Sequence, residues 1–412
     1  MLKESAYNVY KETQGEYLVY NTLYGGFARL DTDEYNKIKS LSFGLLEIET
    51  VDLLKINGFI IDSCINETEV YDKARHKIIK LQKVENTGYV IAVTTDCNAR
   101  CPYCYEKGTD IIYMDRQCAD KVINFIDRNY NGNIINITWF GGEPLLNIEI
   151  INYICEKLVE NNIKFISSII TNGYLFNDKL VTMAGYKWNL SHVQISLDGT
   201  EPEYNKIKNY KYTNINPFKN VIKNIERLVN NEINVSIRLN ISRDNAKNIQ
   251  ELVKYISDKI LFNKYLVIYP AFVEGLEKKY SLNDNEKVDI IKELLDIVPF
   301  YSLAWYRSKL YEPPYLYACM RENPLSVVID SDGSICRCEH YIGRKKLQNI
   351  NNTYDNVKNF FDVKIDYEVN ENCKKCKFYP RCLGGCMADR LEDNGHCSID
   401  RYIIEALMQD YG

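Results

Sequence analysis

The strongest restraint on the fold is a regular alternation of short apolar runs with amphipathic stretches between Tyr89 and Ala271. The runs Tyr89–Thr95, Ile134–Phe140, Phe165–Thr171, Val193–Asp198, Val235–Ile241 and Tyr265–Ala271 are predicted strands. Their content of Ile, Val and Leu is that of parallel strands buried on both faces. The stretches Cys118–Asn129, Ile148–Glu160, Asp178–Ala184, Phe218–Asn230 and Ile249–Lys259 are predicted helices. Such alternation builds βαβ units with right-handed crossovers. Six units over about 190 residues fit a partial (β/α)6 barrel, whereas a closed eight-unit barrel takes ~250. Chemistry in these folds sits in loops at the C-terminal ends of the strands.

The flanks read differently. Tyr7–Tyr10, Tyr17–Asn21 and Gly25–Leu30 alternate as strands do, with Gln14-Gly15 as a turn. Asp31 offers an N-cap, and Asp33 and Glu34 an acidic first turn, to a helix towards Leu41. Helical segments around Leu45–Asn57 and a closing strand Gly58–Asp62 follow. Residues 1–82 are therefore expected to form a small α+β domain, or a cap on the larger body. Residues 83–300 form the barrel. Residues 301–412 hold eight of the 14 cysteines and little regular pattern. Metal ligation is the expected staple there. The expected class is α/β: a partial (β/α)6 barrel, a small α+β N-terminal domain and a cysteine-rich, iron–sulfur-stapled C-terminal domain.

Cysteine count and charge narrow the function. The start carries no signal-peptide core and no apolar run approaches the roughly 20 residues that span a bilayer. A cytoplasmic protein without membrane association is expected. Fourteen cysteines then point to metal or redox chemistry more than to disulfides. The balance of 51 Lys+Arg against 56 Asp+Glu, net −5, argues against a nucleic-acid partner.

The cysteines fall into two constellations. Cys97, Cys101 and Cys104 form a C-x3-C-x2-C loop directly after the first barrel strand. Three thiolates can hold three irons of a cubane and leave the fourth iron open; a fourth cysteine would close it. Cys373, Cys376, Cys382 and Cys386 form the second group, with Cys397 beyond and Cys319, Cys336 and Cys338 upstream. Cys118 and Cys155 fall in helices and read as buried apolar residues.

The first loop, with Tyr103 before its last cysteine, resembles the cluster loop of radical S-adenosylmethionine (radical SAM) enzymes. Gly141-Gly142-Glu143-Pro144 after the second strand resembles the GGE motif that meets the methionine amino group. Thr171-Asn172-Gly173, Ser196-Leu197-Asp198-Gly199 and Arg238-Leu239-Asn240-Ile241 follow in the family's order. The C-terminal cysteines resemble a SPASM domain, which carries two auxiliary clusters. Residues 1–82 are similar to the winged-helix-like domain that recognises the leader of ribosomally made precursor peptides. Such a domain takes up an extended leader on an exposed strand edge.

The resemblance implies three [4Fe–4S] clusters, S-adenosylmethionine and a low-potential electron donor such as flavodoxin or ferredoxin. It implies cosubstrate contacts at Tyr103, Gly141, Gly142, Glu143, Ser196, Asp198 and Arg238. Arg238 is equally readable as a paired barrel arginine. Relatives carry an arginine about a dozen residues after the serine; this chain has Tyr204-Asn205-Lys206-Ile207-Lys208 in that stretch, which offers a point charge in place of a bidentate clamp. The first auxiliary cluster would take Cys319, Cys338 and Cys386, with Cys336 as a possible fourth ligand. The second would take Cys373, Cys376, Cys382 and Cys397. Glu339, directly after Cys338, matches the place where some relatives hold a catalytic carboxylate.

The implied function is maturation of a leader-bearing precursor peptide by hydrogen abstraction, with a thioether cross-link as the expected product. The alternatives are an anaerobic sulfatase-maturing enzyme that makes formylglycine from Cys or Ser, a peptide epimerase, a carbon–carbon cross-linking enzyme, and a non-enzymatic iron–sulfur or zinc protein.

Overall fold

A computed structural model describes residues 1–81, 88–211, 215–260, 263–274, 280–317, 319–320, 323, 326–344, 348–349, 369–386 and 396–410. The central sheet contains six consecutive parallel strands: β6 (Gly88–Thr94), β7 (Ile135–Gly141), β8 (Phe165–Thr171), β9 (Leu190–Leu197), β10 (Asn234–Ile241) and β11 (Leu266–Phe272). The helices α4 (Arg116–Arg128), α5 (Ile148–Glu160), α6 (Asp178–Lys187), α8 (Pro217–Asn230) and α9 (Ile249–Lys259) alternate with them. Three of these helices start at a capping side chain on the preceding loop. Asp115, Asn177 and Asn216 cap α4, α6 and α8 by accepting backbone N–H groups, and Pro217 opens α8.

The strands are not buried on both faces as expected. Along β9, β10 and β11 fully buried residues alternate with partly exposed ones. Val193, Ile195, Leu197, Val235, Ile237, Leu239 and Ile268 pack into one core beneath the helices. Gln194, Ser236, Arg238 and Tyr269 lie on the other face, partly open to solvent. The reason is topological. The order β11-β10-β9-β8-β7-β6 does not close on itself, so the inner face is never filled as in a full barrel.

Residues beyond 300 join the same sheet. Strand β12 (Ser326–Ile329) pairs in parallel with β6, and β13 (Ser334–Cys336) returns antiparallel to β12. Val328, Cys336 and Ile342 pack with Ala92 and Phe140, filling the β6–β7 half of the inner face. The β9–β11 half stays open. Helix α11 (Phe300–Ser308) runs through the expected boundary at 300/301, and the boundary at 82/83 lies outside the described residues.

The N-terminal strands β2 (Asn8–Thr13), β3 (Glu16–Asn21) and β4 (Phe27–Leu30) form an antiparallel sheet. Helix α1 (Thr32–Lys39) follows with the expected Asp31 cap, completed as a capping box by Glu34. The closing strand β5 (Ile60–Asp62) pairs with β1 (Leu2–Glu4), a pairing not anticipated because β1 is three residues long. Helix α3 (Glu67–Leu81) was likewise not anticipated. Val19, Leu30, Ile38, Phe43, Leu54, Phe59 and Ile60 form a separate small core.

This N-terminal unit is bonded to the cysteine-rich region. The Tyr71 hydroxyl donates to the Tyr315 carbonyl at 2.6 Å, and Arg75 Nη1 to the Leu316 carbonyl at 3.1 Å. The Tyr20 hydroxyl donates to the Leu310 carbonyl at 2.9 Å. The Thr22 hydroxyl donates to the Lys377 carbonyl, and the Tyr379 hydroxyl to Asp72 Oδ1 at 2.9 Å.

Candidate active site

The loop after β6 brings Cys97, Cys101 and Cys104 to the mouth of a cavity of about 350 Å³. Residues at the C-terminal ends of β7 to β11 complete the wall, as the barrel rule requires. Burial pushes the Cys97 thiol up to about 12 and raises Cys101 and Cys104 too. A cation must therefore displace protons when it binds these sulfurs.

Gly141 and Gly142 line the cavity beside the cysteines. Their need for glycine is internal. A Cβ on Gly141 would lie 2.0 Å from the Thr94 carbonyl oxygen, and one on Gly142 would lie 2.4 Å from that of Asp96. Gly142 N–H donates to Thr94 O at 3.0 Å and Glu143 N–H to Asp96 O at 2.8 Å, so this turn is sewn to the root of the cysteine loop. The Glu143 carboxylate turns inward and is solvent-inaccessible. It accepts from the Thr171 hydroxyl at 2.7 Å, Asn172 N–H at 2.8 Å and Leu145 N–H at 3.1 Å. Burial raises its pKa, and these donors oppose the rise. In this arrangement the side chain braces the β8 turn.

Ser196 and Asp198 leave β9 towards the same wall and meet Lys208, the last residue of α7 (Glu201–Lys208). The Lys208 ammonium donates to Ser196 Oγ at 2.7 Å and lies 2.8 Å from Asp198 Oδ2. The Tyr103 hydroxyl donates to Asp198 Oδ1. Asn240 Nδ2 donates to the Tyr103 hydroxyl at 3.0 Å and to Asp198 Oδ1 at 3.2 Å. Burial lowers the Lys208 pKa, but Asp198 and Tyr103 outweigh it and the net shift is upward. Burial, then the Asp198 charge, raises Tyr103 well above its ordinary value.

Arg238 has a different situation. It stands in register with Ser196 and Tyr269, is exposed into the cavity, and has no hydrogen bond or ion pair among the described residues. It is not a paired barrel arginine. Its neighbour Tyr269 is fixed by donating to Gln194 Oε1 at 2.8 Å.

The cysteine-rich region closes the cavity from the far side with Cys386, His340 and His396. The Tyr105 ring, next to Cys104, stacks on His340 at 4.4 Å and 11°. Cys319 and Cys386 lie within electrostatic reach of Cys338, and Cys397 and Cys373 within reach of Cys382. Cys397 Sγ accepts from Arg401 Nη1 at 3.0 Å and Cys382 Sγ from Ser398 N–H at 3.3 Å. Cys376 and Cys397 are both partly buried against the main core. Cys336 packs instead among Ala92, Phe140, Val328 and Ile342, and its thiol contacts the Tyr341 carbonyl at 3.7 Å. Glu339 is half-buried beside Cys338, whose Sγ lies 3.9 Å from its Oε2. Among the described residues, no three His, Cys, Asp or Glu side chains converge tightly enough to hold a single ion.

Four participants escaped sequence reasoning. Asn240, Asn172 and Asn98 knit the wall together, with Asn172 Nδ2 donating to Asn98 Oδ1 at 2.6 Å; the first two lay inside quoted motifs without a role. Glu106, two residues after Cys104, lines the cavity with Oε2 buried and unpartnered. Burial, reinforced by Asp330, pushes its pKa up to about 7. No spacing signal marks it.

Residues 91–256 match the sequence model of the Radical SAM superfamily. The chain is 25% identical to the cysteine-type anaerobic sulfatase-maturating enzyme of Clostridium novyi, over 72% of this chain and 86% of that protein. It is 23% identical to the radical SAM cyclopropyl synthase TigE of Paramaledivibacter caminithermalis, over 98% of this chain and 94% of that protein. The solved structure of native anSMEcpe with bound AdoMet superposes with a TM-score of 0.61 at 20% identity, covering 78% of this chain and 97% of that one. Streptococcus suis SuiB bound to precursor peptide SuiA superposes at 0.54 and 16% identity, covering 96% and 98%. These superpositions establish a shared fold.

Proposed function

The chain carries a radical SAM domain and is a radical SAM enzyme, and we propose that it matures a ribosomally made precursor peptide. Its superfamily implies a [4Fe–4S] cluster and S-adenosylmethionine. The donor set suits that cluster: three thiols from one loop face a cavity, with no fourth thiol on that loop. Bound there, cluster and cosubstrate would supply one-electron cleavage of a sulfonium C–S bond and a carbon radical able to abstract hydrogen. The protein's own residues hold, orient and exclude water. Gly141 and Gly142 let the β7 turn approach the loop. Arg238, without a hydrogen bond or ion pair among the described residues, offers a cation for a carboxylate. His340, His396 and Cys386 cover the cavity.

Two auxiliary clusters are part of this reading, on Cys319, Cys338 and Cys386 and on Cys373, Cys376, Cys382 and Cys397. The electrostatic proximity of Cys319 and Cys386 to Cys338, and of Cys373 and Cys397 to Cys382, supports that grouping. Cys336, turned into an apolar cluster, leaves the first auxiliary set with three thiols. An iron open to a substrate thiolate, with Glu339 alongside as base, is the feature that supports thioether formation. The leader would add to the edge of the β2–β3–β4 sheet, and an external flavodoxin or ferredoxin would supply electrons.

The observation that carries the proposal is the cavity shared by the three-cysteine loop, the strand-end motifs and the cysteine-rich cover. The match to peptide-bound SuiB, which spans nearly the whole chain, supports a peptide substrate. The identity to sulfatase-maturating enzymes favours formylglycine formation as the second reading. The test is anaerobic turnover with a low-potential reductant, a leader-bearing Cys peptide and a sulfatase-derived Cys peptide. A cross-linked leader peptide supports the first reading, an aldehyde in the sulfatase peptide the second. No cleavage of S-adenosylmethionine by the iron-loaded protein refutes both.

A further inference from the structure

The second free-standing question at this site is what Lys208 does. Its place in the chain suggests a substitute for a carboxylate-binding arginine. Its surroundings say otherwise. An ammonium has three protons. Two are donated here, to Ser196 Oγ at 2.7 Å and Tyr103 Oη at 3.4 Å, and Asp198 Oδ2 lies 2.8 Å away as an ion-pair partner without hydrogen-bond geometry. The Lys208 and Asp198 side chains are 3% and 0% exposed, so the ammonium is engaged by the protein itself.

The same residue grips the cysteine loop through its backbone. The Lys208 carbonyl accepts from Arg100 N–H at 2.7 Å. Asn209 caps α7 in the left-handed region, which turns the chain so that Lys211 N–H reaches the Asn98 carbonyl at 2.8 Å. Lys211 Nζ then meets Asp96 Oδ1 at 3.0 Å. The end of α7 thus holds residues 96, 98, 100 and 103 of the loop in one clasp. At its centre is a buried positive charge with one buried counter-charge.

We propose that Lys208 is a positioning residue for the three-cysteine loop, and that the Lys208–Asp198 pair sets the reduction potential of the cluster that this loop would hold. The inference rests on the cluster reading above. Net charge and hydrogen bonding around a cluster tune its potential, and charges act most strongly where water is excluded. A buried cation favours the more negative, reduced state; Asp198 opposes it.

The test is an anaerobic redox titration of the loop cluster by electron paramagnetic resonance in the iron-loaded full chain. Lys208→Met should shift the midpoint potential downward, and Asp198→Asn should shift it upward. Lys208→Arg, which keeps the charge, should stay near the wild type. If Lys208→Met loses iron, the Asp198→Asn/Lys208→Met protein strands no charge and should keep its iron, with a potential below that of Asp198→Asn and near the wild type's. Affinity for S-adenosylmethionine, by equilibrium dialysis, should change by less than about threefold in Lys208→Met. Unmoved potentials, or shifts of one sign in both single variants, overturn the inference. So does a more than tenfold loss of affinity without a potential shift, which would make Lys208 a cosubstrate ligand. A wild-type loop without any cluster signal overturns the cluster reading itself, and the inference with it.

Discussion

Asp198 and Lys208 form an ion pair of 2.8 Å that solvent does not reach, directly beneath the tyrosine of the cysteine loop. Breaking a buried pair leaves a stranded charge, which costs about 3–5 kcal/mol, whereas exposed pairs contribute about 0–1 kcal/mol. Asp198→Ala should therefore lower unfolding free energy by several kcal/mol in denaturant titrations. Glu16→Ala, which breaks the exposed Glu16–Arg29 pair, should change it by less than about 0.5 kcal/mol.

Glu143 accepts three donors with its two oxygens. In Glu143→Gln one oxygen becomes an NH2 group and faces at least one of those donors. The expected cost is about 1–3 kcal/mol. Hydrogen exchange at the Asn172 amide should accelerate if the NH2 replaces Oε2, and denaturant unfolding reads the total.

Glycine substitutions should separate cleanly by position. A Cβ at Gly142 meets the Asp96 and Thr95 carbonyl oxygens at 2.4 and 2.7 Å, so Gly142→Ala should displace the cysteine loop and reduce its iron content. Gly185 lies in α6 with nothing within 4 Å of an added Cβ. Gly185→Ala should leave iron content unchanged and stabilise the protein by about 0.5–1 kcal/mol.

The Glu106 carboxyl, raised to about 7, binds its proton more tightly folded than unfolded. Between its ordinary value of 4.5 and about 7 the folded state holds the extra proton, so stability falls as pH rises through that window. Glu106→Gln removes the loss. Its unfolding free energy should exceed the wild type's by up to about 3 kcal/mol near pH 8 and by little near pH 4.5. Equal differences at both pH values would contradict the assignment.

Removal of residues 1–81 should not act on leader binding alone. Tyr71, Arg75, Tyr20 and Thr22 satisfy backbone carbonyls in the segments that carry Cys319, Cys376 and Cys382. The truncated protein is expected to lose iron from the C-terminal cysteines while the loop of Cys97, Cys101 and Cys104 retains its own. Iron content of the truncated chain, with and without the triple Cys97/Cys101/Cys104→Ala change, measures this.

The alternation of strands and helices was legible because it is local. Phe165–Thr171, Ile148–Glu160 and Ile249–Lys259 coincide with their predicted limits, each set by residues a few positions away in the chain. The cysteine loop was legible for the same reason, since its spacing is a property of eight consecutive residues. The strand β1 and its pairing with β5, Leu2 opposite Asp62 some 60 positions away, left no local trace, although β5 itself did.

Sequence alone determined the fold class, the location of chemistry at the strand ends and the identity of the thiols. Those follow from periodicity and spacing, which the backbone geometry of helices and strands converts directly into position. Only the tertiary structure decided how the charged groups are used. Whether a lysine reaches a ligand or an aspartate depends on which residues fold against it from 10 to 105 positions away, as Asp198 and Tyr103 do against Lys208. The same holds for the inner face of the barrel. Its alternating residues would be core in a closed barrel, and they line a cavity here because the sheet stays open between β11 and β6.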